Sequence, residues 1–200
     1  MHLRRKELNI NYQEKQKAEF ANHNLAFVCV DVQEKLFGVM AQKEQLQINT
    51  NKLIKGIEVL GCPFIVCEQY PKALGSTVLE LPNNFGDLDT HFRISKMSFS
   101  AFGEKTFCQT LEQGQIQTLI IFGIESHICV RSSAIDALER GFRVVVVEDC
   151  CTSRLKDNHY RAMEELKMLG ARILGYESVL FSFLLHAKED NFKTLSPIIK

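Results

Sequence analysis

Four nearly continuous apolar runs constrain the fold of this chain more than any other feature of its sequence. They lie at 25–31 (LAFVCVD), 63–68 (PFIVCE), 118–122 (TLIIF) and 142–148 (FRVVVVE), and a shorter run follows at 171–174. Runs rich in Val, Ile and Phe without polar alternation predict strands that are buried on both faces, as strands are in a parallel sheet.

Segments with helical spacing of apolar residues separate these runs. They lie at 45–60, 101–112, 127–141, 158–169 and 178–185. Strands that alternate with helices predict an α/β fold with a doubly wound, mostly parallel sheet and helices on both faces, a Rossmann-like three-layer sandwich. In such a fold we expect the functional site beyond the carboxyl ends of the strands.

The length of 200 residues suits a single domain. We expect this domain to span 25–187, between an N-terminal extension at 1–24 and a C-terminal tail at 188–200. The extension contains Glu7, Glu14 and Glu19 and no apolar core, which is atypical of a secretion signal. Lys plus Arg equals Asp plus Glu at 24 each, and no apolar segment is long enough to span a bilayer. We therefore expect neither nucleic acid nor a membrane as a partner.

The cysteines and glycines bear on compartment and cofactors. Seven cysteines show no CxxC pair or other zinc-ligand spacing, and their number is odd. These features favour a reducing compartment and a cytoplasmic location. The turn after the first strand lacks a glycine-rich phosphate-binding motif. We expect no cofactor.

Cys129 is the first candidate for chemistry. It lies in GIESHICV (123–130), where an apolar strand is followed by a turn and a helical pattern. Ser126 is a candidate N-cap, with its hydroxyl accepting from the N–H of Ile128 or Cys129. The positive end of the helix dipole then predicts a lowered thiol pKa and a nucleophilic thiolate. The alternative is a buried cysteine with a structural role only.

Asp31 and Lys96 are ambiguous when each is considered alone. Asp31 ends the first apolar run, where a carboxylate needs a partner or a task, but a helix N-cap has the same position. Lys96 lies in a short alternating segment, RISKMSFS (93–100), where a lysine is usually a solvated edge residue.

Together these motifs identify a family resemblance. The end of the first strand (DVQ, 31–33), Lys96 in SKMSFSAF, the GIESHICV turn and the downstream ALERGFRVVVVEDCCTS resemble the isochorismatase-like cysteine hydrolases. The resemblance implies the isochorismatase-like form of the α/β fold and a catalytic triad of Cys129, Asp31 and Lys96. It also implies a cis peptide bond between Ile124 and Glu125, and an oxyanion hole formed by the N–H groups of Glu125 and Cys129.

The segment EQYPKALG (68–75) resembles a subfamily of bacterial hydrolases of unassigned substrate and eukaryotic isochorismatase-domain proteins. It lacks the histidine that nicotinamidases of the family use as a metal ligand at this position. Asp89 and His91 have no second histidine at suitable spacing, so we expect no metal. Isochorismate hydrolases lack a cysteine at the nucleophile position, whereas this chain has Cys129.

We therefore expect a metal-independent cysteine hydrolase that cleaves a small amide or carbamoyl substrate through a thioester on Cys129. The alternative is a catalytically silent scaffold of the same fold that acts through protein contacts. Candidate pocket residues are Gln33, Phe37, Tyr70 and Ser126, although Phe37 and Tyr70 are equally compatible with packing roles. His127 lies two residues from Cys129 on the same helical pattern, which disfavours a Cys–His dyad. The resemblance also implies a homo-oligomer.

Overall fold

The computed structural model describes residues 24–82, 85, 90–184 and 190–199. Its centre is a parallel sheet of six strands, in the order β3-β2-β1-β4-β5-β6. The strands are β1 (Leu25–Val30), β2 (Phe64–Gln69), β3 (His91–Lys96), β4 (Thr118–Ile124), β5 (Arg143–Thr152) and β6 (Arg172–Leu174). The predicted doubly wound, parallel α/β fold is confirmed.

Helices connect the strands and cover the sheet. They are α1 (Glu34–Phe37), α2 (Lys43–Leu60), α3 (Pro71–Leu74), α4 (Lys105–Gln113), α5 (Arg131–Glu139), α6 (Lys156–Met168), α7 (Tyr176–Phe181) and α8 (Asp190–Ile199). A 3₁₀ turn, Ala101–Gly103, precedes α4, and a π-helical turn, Ser126–Val130, precedes α5. In the described part of the chain, no helix combines the length and apolar character needed to cross a bilayer.

The order of the strands places the helices in two layers. From β1 the chain moves through α2 to β2 in one direction, and from β4 it moves through α5 and α6 to β5 and β6 in the other. Parallel crossovers are right-handed, so connections that move in opposite directions lie on opposite faces. Accordingly, α2 packs with α7 and α8, whereas α5 packs with α6.

Strand β3 was not among the predicted apolar runs. It is the edge strand beside β2, and its residues alternate between buried and exposed positions, with His91, Ile94 and Lys96 buried. An edge strand is less covered than a central one, and its residues Arg93 and Ser95 are exposed. This explains why the segment has a weaker apolar pattern than the central strands.

The structure describes only part of the predicted N-terminal extension and C-terminal tail. Most of the predicted N-terminal extension, 1–23, lies outside the described residues, as do 185–189 and 200. Part of the predicted C-terminal tail forms α8, which packs on α2 through the fully buried Leu195. Lys52 Nζ donates to the carbonyl oxygen of Ile199, 2.9 Å away.

Gly123 allows β1 and β4 to approach closely at their carboxyl ends. It pairs with Val30 in the parallel register and has a φ of +125°. A Cβ atom at this position would collide with the backbone of Val30. Only glycine combines this conformation with this backbone distance, so the residue fixes the spacing of the two central strands where the candidate site begins.

Candidate active site

The three candidate catalytic residues meet above the carboxyl ends of the central strands. Asp31 follows β1, Lys96 ends β3, and Cys129 lies in the turn after β4. The connections after β1 and β4 leave in opposite directions, which makes the gap between these strands the topological switch point of the sheet. Crevices of this kind are where α/β proteins bind their ligands.

Asp31 and Lys96 form a buried ion pair. Oδ2 of Asp31 lies 2.7 Å from Nζ of Lys96, and both side chains are 0% exposed. Asp31 is not the N-cap of the next helix, because α1 begins after Gln33 and has no side-chain cap. The interpretation of Lys96 as a solvated edge residue is wrong, because the side chain turns into the site from the end of the edge strand.

Further hydrogen bonds hold the Lys96 ammonium group in place. It donates to Oε1 of Gln69 at 2.7 Å and to the carbonyl oxygens of Ser98 at 3.2 Å and Phe99 at 3.1 Å. The backbone N–H of Tyr70 donates to the carbonyl oxygen of Lys96 at 2.9 Å. These contacts fix the position of the Lys96 side chain beside the carboxylate of Asp31.

The Cys129 thiol interacts with this ion pair, with an outcome opposite to the predicted one. Burial, followed by the nearby Asp31 carboxylate, raises the pKa of the Cys129 thiol to about 12, although Lys96 acts in the other direction. The predicted lowering of this pKa by a helix dipole is wrong for the free protein. Because desolvation and a like charge outweigh the cation, the resting thiol is protonated at neutral pH.

The same surroundings make Asp31 a better proton acceptor. Burial raises the pKa of the Asp31 carboxyl group above its ordinary value, against the opposing effects of Lys96 and of a hydrogen bond from the Cys129 thiol. A carboxylate with a raised pKa binds a proton more readily at neutral pH. The arrangement therefore places a protonated thiol beside a carboxyl group that is paired with a lysine.

The turn before Cys129 is not capped by Ser126. The N–H of Ile128 bonds instead to the carbonyl oxygen of Glu125 at 3.0 Å, and the residues 126–130 form the π-helical turn. The Ser126 hydroxyl lies 2.9 Å from Nδ1 of His159. The predicted capping role is therefore wrong. The N-terminal N–H groups of the turn gain no partner from this hydroxyl.

The peptide bond between Ile124 and Glu125 is cis, the conformation that the family resemblance implies at this position. The Glu125 side chain is buried and accepts hydrogen bonds from the backbone N–H of Arg154 at 2.9 Å and from its Nε at 3.1 Å. The backbone of Glu125 thus lies directly after β4, at the start of the turn that contains Cys129.

The candidate pocket residues have different surroundings. Gln33 is fully buried and donates to the carbonyl oxygens of Gln69 and Gly75 at 3.0 and 2.7 Å, while its side-chain oxygen accepts from the N–H of Gln69 at 2.7 Å. One of its donors thus joins Gln33 to the end of β2, and the other joins it to the residue that follows α3. Phe37 packs against the core from α1, and Tyr70 is largely exposed after β2. Contact of these residues with a substrate stays a prediction.

Gln69 is a residue that the sequence analysis missed. It pairs with Lys96 in the β2–β3 register, and its amide both accepts from Lys96 and donates to the carbonyl oxygen of Met97 at 2.8 Å. It lies in the EQYPKALG motif, but its contact with Lys96 depends on which strands are neighbours. The residues after β5 that contact the Cys129 turn were missed for the same reason.

The three histidines that the structure describes contact hydroxyl groups and make no hydrogen bond to Cys129. His127 lies 2.9 Å from the Ser153 hydroxyl through Nδ1. His91 is buried at the opposite end of β3 from Lys96, where it contacts the Thr90 hydroxyl at 3.0 Å. Asp89 lies outside the described residues. Within 24–82, 85, 90–184 and 190–199, no group of three or more His, Cys, Asp or Glu side chains is arranged to hold a metal ion.

A comparison with known protein families finds a match over the part of the chain that contains the candidate site. The isochorismatase domain matches 25–178, which covers the whole sheet and all three candidate catalytic residues. The chain belongs to the isochorismatase family. As a member of this family it has a hydrolase-type fold.

Two curated relatives illustrate the range of the family. A secreted isochorismatase effector, Isc1, of Phytophthora sojae is 34% identical over 88% of this chain and 84% of its own length. Isochorismatase domain-containing protein 1 of Danio rerio is 32% identical over 87% of this chain. The chain spans 60% of the length of that zebrafish protein.

Solved structures share the fold over most of the chain. The MAR1 ribonuclease of Caenorhabditis elegans superimposes with a TM-score of 0.78 at 30% identity, covering 88% of this chain and 89% of its own. The YcaC gene product of Escherichia coli, described as an octameric hydrolase of unknown specificity, has a TM-score of 0.81 at 22% identity and covers 88% of each chain.

Proposed function

We propose that this protein is a metal-independent cysteine hydrolase that cleaves a C–N bond in a small amide or carbamoyl substrate. The observation that carries the proposal is the buried Asp31–Lys96 ion pair, 2.7 Å long, beside the Cys129 thiol at the switch point of the sheet. A nucleophile with an adjacent base, and a base held by a third group, is the arrangement that covalent hydrolysis requires.

The first half of the reaction forms a thioester. Cys129 Sγ attacks the substrate carbonyl carbon while Asp31 accepts the thiol proton, so no free thiolate has to form beforehand. The N–H groups of Glu125 and Cys129 are the proposed donors to the oxyanion of the tetrahedral intermediate. When the intermediate collapses, the C–N bond breaks and Asp31 returns its proton to the leaving nitrogen.

The second half regenerates the enzyme. Water attacks the thioester carbon and gives a proton to Asp31, and the C–S bond then breaks. The Cys129 sulfur takes back the proton, which restores the starting protonation states. Throughout, Lys96 orients Asp31 and offsets its charge, so that burial does not make Asp31 too weak an acid to release the proton again.

The catalytically silent scaffold is the alternative from a different class of function. It is disfavoured by the ion pair itself, because apolar residues at positions 31 and 96 would fill the same space without the cost of burying two charges. A protein that used only its outer surface would have no need of this arrangement.

The name of the nematode structure makes ribonuclease activity a second candidate. It is disfavoured by the charge of the chain, because binding RNA requires Lys and Arg side chains that neutralise phosphates and the net charge here is 0. We propose a small-molecule substrate and no nucleic-acid partner. Incubation with labelled single-stranded RNA tests this directly, and cleavage that Cys129→Ala abolishes would contradict it.

Assembly and location belong to the same proposal. The octameric YcaC neighbour and the family resemblance support a homo-oligomer. The seven cysteines are all free, which supports a reducing compartment such as the cytosol. One relative is a secreted effector, so fractionation of cells that produce the full chain is the relevant measurement.

The decisive experiment measures ammonia release from a panel of primary amides and carbamoyl compounds. Cys129→Ala removes the nucleophile and is expected to abolish turnover, whereas Cys108→Ala, at a half-buried cysteine outside the site, is the matched control. Intact-mass analysis of the protein mixed with the best substrate is expected to show an acyl adduct, the proposed thioester on Cys129. Undiminished turnover by a folded Cys129→Ala variant would overturn the proposal.

A further inference from the structure

The residues that precede the nucleophile are held from outside by one neighbouring segment. Glu125, Ser126 and His127 follow β4 in succession, and each contacts the stretch that follows β5, residues 153–159. We call these seven residues the 153–159 segment. It continues from the end of β5 into the first turn of α6.

Glu125 and His127 are both engaged near the start of this segment. The Glu125 carboxylate accepts from the backbone N–H and from Nε of Arg154, and Nδ1 of His127 lies 2.9 Å from the Ser153 hydroxyl. Nε2 of His127 lies 3.4 Å from the side-chain nitrogen of Asn158. The Arg154 side chain is 58% exposed, so its ion pair adds little to stability.

Ser126 is engaged from the first turn of α6. Its side chain is fully buried, and its hydroxyl lies 2.9 Å from Nδ1 of His159. On its other side, Nε2 of His159 lies 3.9 Å from Oε1 of Glu148. The imidazole ring therefore lies between the Cys129 turn and β5, and its contact with the hydroxyl ties Ser126 to α6.

These contacts restrain a turn that has no side-chain cap. The first N–H groups of a helical turn have no partner within the turn, so their direction depends on how the flanking residues are held. No side-chain cap holds the π-helical turn Ser126–Val130. The three side chains bonded to the 153–159 segment supply that restraint in place of a cap.

We propose that the 153–159 segment is a positioning element for the oxyanion hole, with His159 and Arg154 as positioning residues. They act through Ser126 and Glu125 on the N–H groups that face the developing oxyanion. The inference rests on the proposed function. It predicts that loss of these contacts slows acyl transfer but leaves the nucleophile, base and lysine intact.

Two reactions of the Cys129 thiol distinguish a perturbed oxyanion hole from a general loss of structure at the site. With p-nitrophenyl acetate, the Cys129 sulfur forms a bond to the acyl carbon through a tetrahedral oxyanion, p-nitrophenolate leaves, and the thiol proton passes to Asp31. With iodoacetamide, the sulfur displaces iodide from a CH₂ group and the thiol proton is lost, with no oxyanion. A perturbed oxyanion hole affects the first reaction only.

The experiment measures both rates at one pH, with Cys129 alkylation followed by peptide mass spectrometry. His159→Ala and Arg154→Ala are expected to slow p-nitrophenolate release about 10- to 100-fold, because small misplacements of catalytic groups have effects of this size. Alkylation is expected to change less than about twofold. His159→Asn places an amide where Nδ1 stood and is expected to restore most of the acyl-transfer rate.

Glu165→Gln is the matched control. Glu165 lies on the same helix, α6, and pairs with Arg131 Nε at 2.6 Å, with no hydrogen bond to Glu125, Ser126 or His127. It is expected to leave both rates unchanged. Equal losses in both reactions for His159→Ala and Arg154→Ala, or no loss in either, would overturn the positioning role. Absence of Cys129-dependent acyl transfer in the unaltered protein would overturn the proposed function, and this inference with it.

Discussion

Nζ of Lys96 lies 2.7 Å from Oδ2 of Asp31 although Lys96 ends the edge strand and Asp31 follows a central one. The lysine reaches across the end of β2, where Gln69 supports it. Each charge is buried and depends on the other. This dependence leads to the first prediction.

Removing one member of the pair is expected to be more damaging than removing both. Lys96→Met leaves a buried carboxylate without its cation and is expected to lower the free energy of unfolding by about 3–5 kcal/mol. The double variant Asp31→Asn/Lys96→Met is expected to lose much less than the sum of the single variants. Urea unfolding at neutral pH measures the free energy of unfolding of the double variant and of each single variant, Asp31→Asn and Lys96→Met.

Lys55→Met, at an exposed pair with Glu80, is the control and is expected to cost less than about 1 kcal/mol. Additive losses at positions 31 and 96 would show that the two charges are not coupled.

Asp31→Asn is expected to change two reactions of Cys129 in opposite directions. The carboxylate raises the pKa of the Cys129 thiol, so its removal lowers that pKa and increases the thiolate fraction about tenfold for each unit. Alkylation by iodoacetamide at pH 8 therefore becomes faster. Hydrolysis loses its base and is expected to fall by about 10²- to 10⁴-fold. Parallel changes in the two rates would contradict the assignment of Asp31 as the base.

The pH dependence of alkylation tests the protonated resting state. Because the pKa of the Cys129 thiol is raised to about 12, the thiolate fraction is expected to rise about tenfold per pH unit between pH 7 and pH 10 without levelling off. A small free thiol, measured in parallel, levels off near its own lower pKa. A plateau for Cys129 near pH 7 would instead show the activated thiolate that the sequence analysis predicted.

Gly123→Ala is expected to destabilise the sheet at the site. The new methyl group would meet the Val30 backbone in a residue with positive φ, so both strain and collision oppose it. We expect a loss of about 3 kcal/mol or more in the free energy of unfolding. Gly141→Ala is the matched control, because Gly141 also has positive φ but open space around its Cα; its cost is expected to be about 1–2 kcal/mol. Equal losses of stability for Gly123→Ala and Gly141→Ala in thermal or urea unfolding would show that the close approach of β1 and β4 does not cause the destabilisation.

The sequence was most informative where local pattern decides the structure. The apolar runs at 25–31 and 118–122 predicted central strands, and chain order placed Asp31 and Cys129 in one crevice. Lys96 was ambiguous, because an alternating strand does not reveal which of its polar residues turns inward. The family resemblance, and not the pattern, associated it with Asp31.

Other features of the site depend on tertiary neighbours and had no local signal. Gln69 contacts Lys96 only because β2 and β3 pair in register. The expected lowering of the Cys129 pKa left out burial and the charge of the Asp31 carboxylate, and these decide its direction. His159 and Arg154 reach the nucleophile turn from a segment that is distant in sequence, so spacing does not indicate them.

The position of β3 at the rim of the sheet links local opening of the protein to its chemistry. Edge strands have one neighbour and are among the first parts of a sheet to detach. Detachment here would withdraw Lys96 from Asp31 and remove a charge that lowers the pKa of that carboxyl group. A frayed molecule would then lack the cation that orients the proposed base. We therefore expect that mild denaturant conditions that speed amide hydrogen exchange in β3 also shorten the lifetime of the activity.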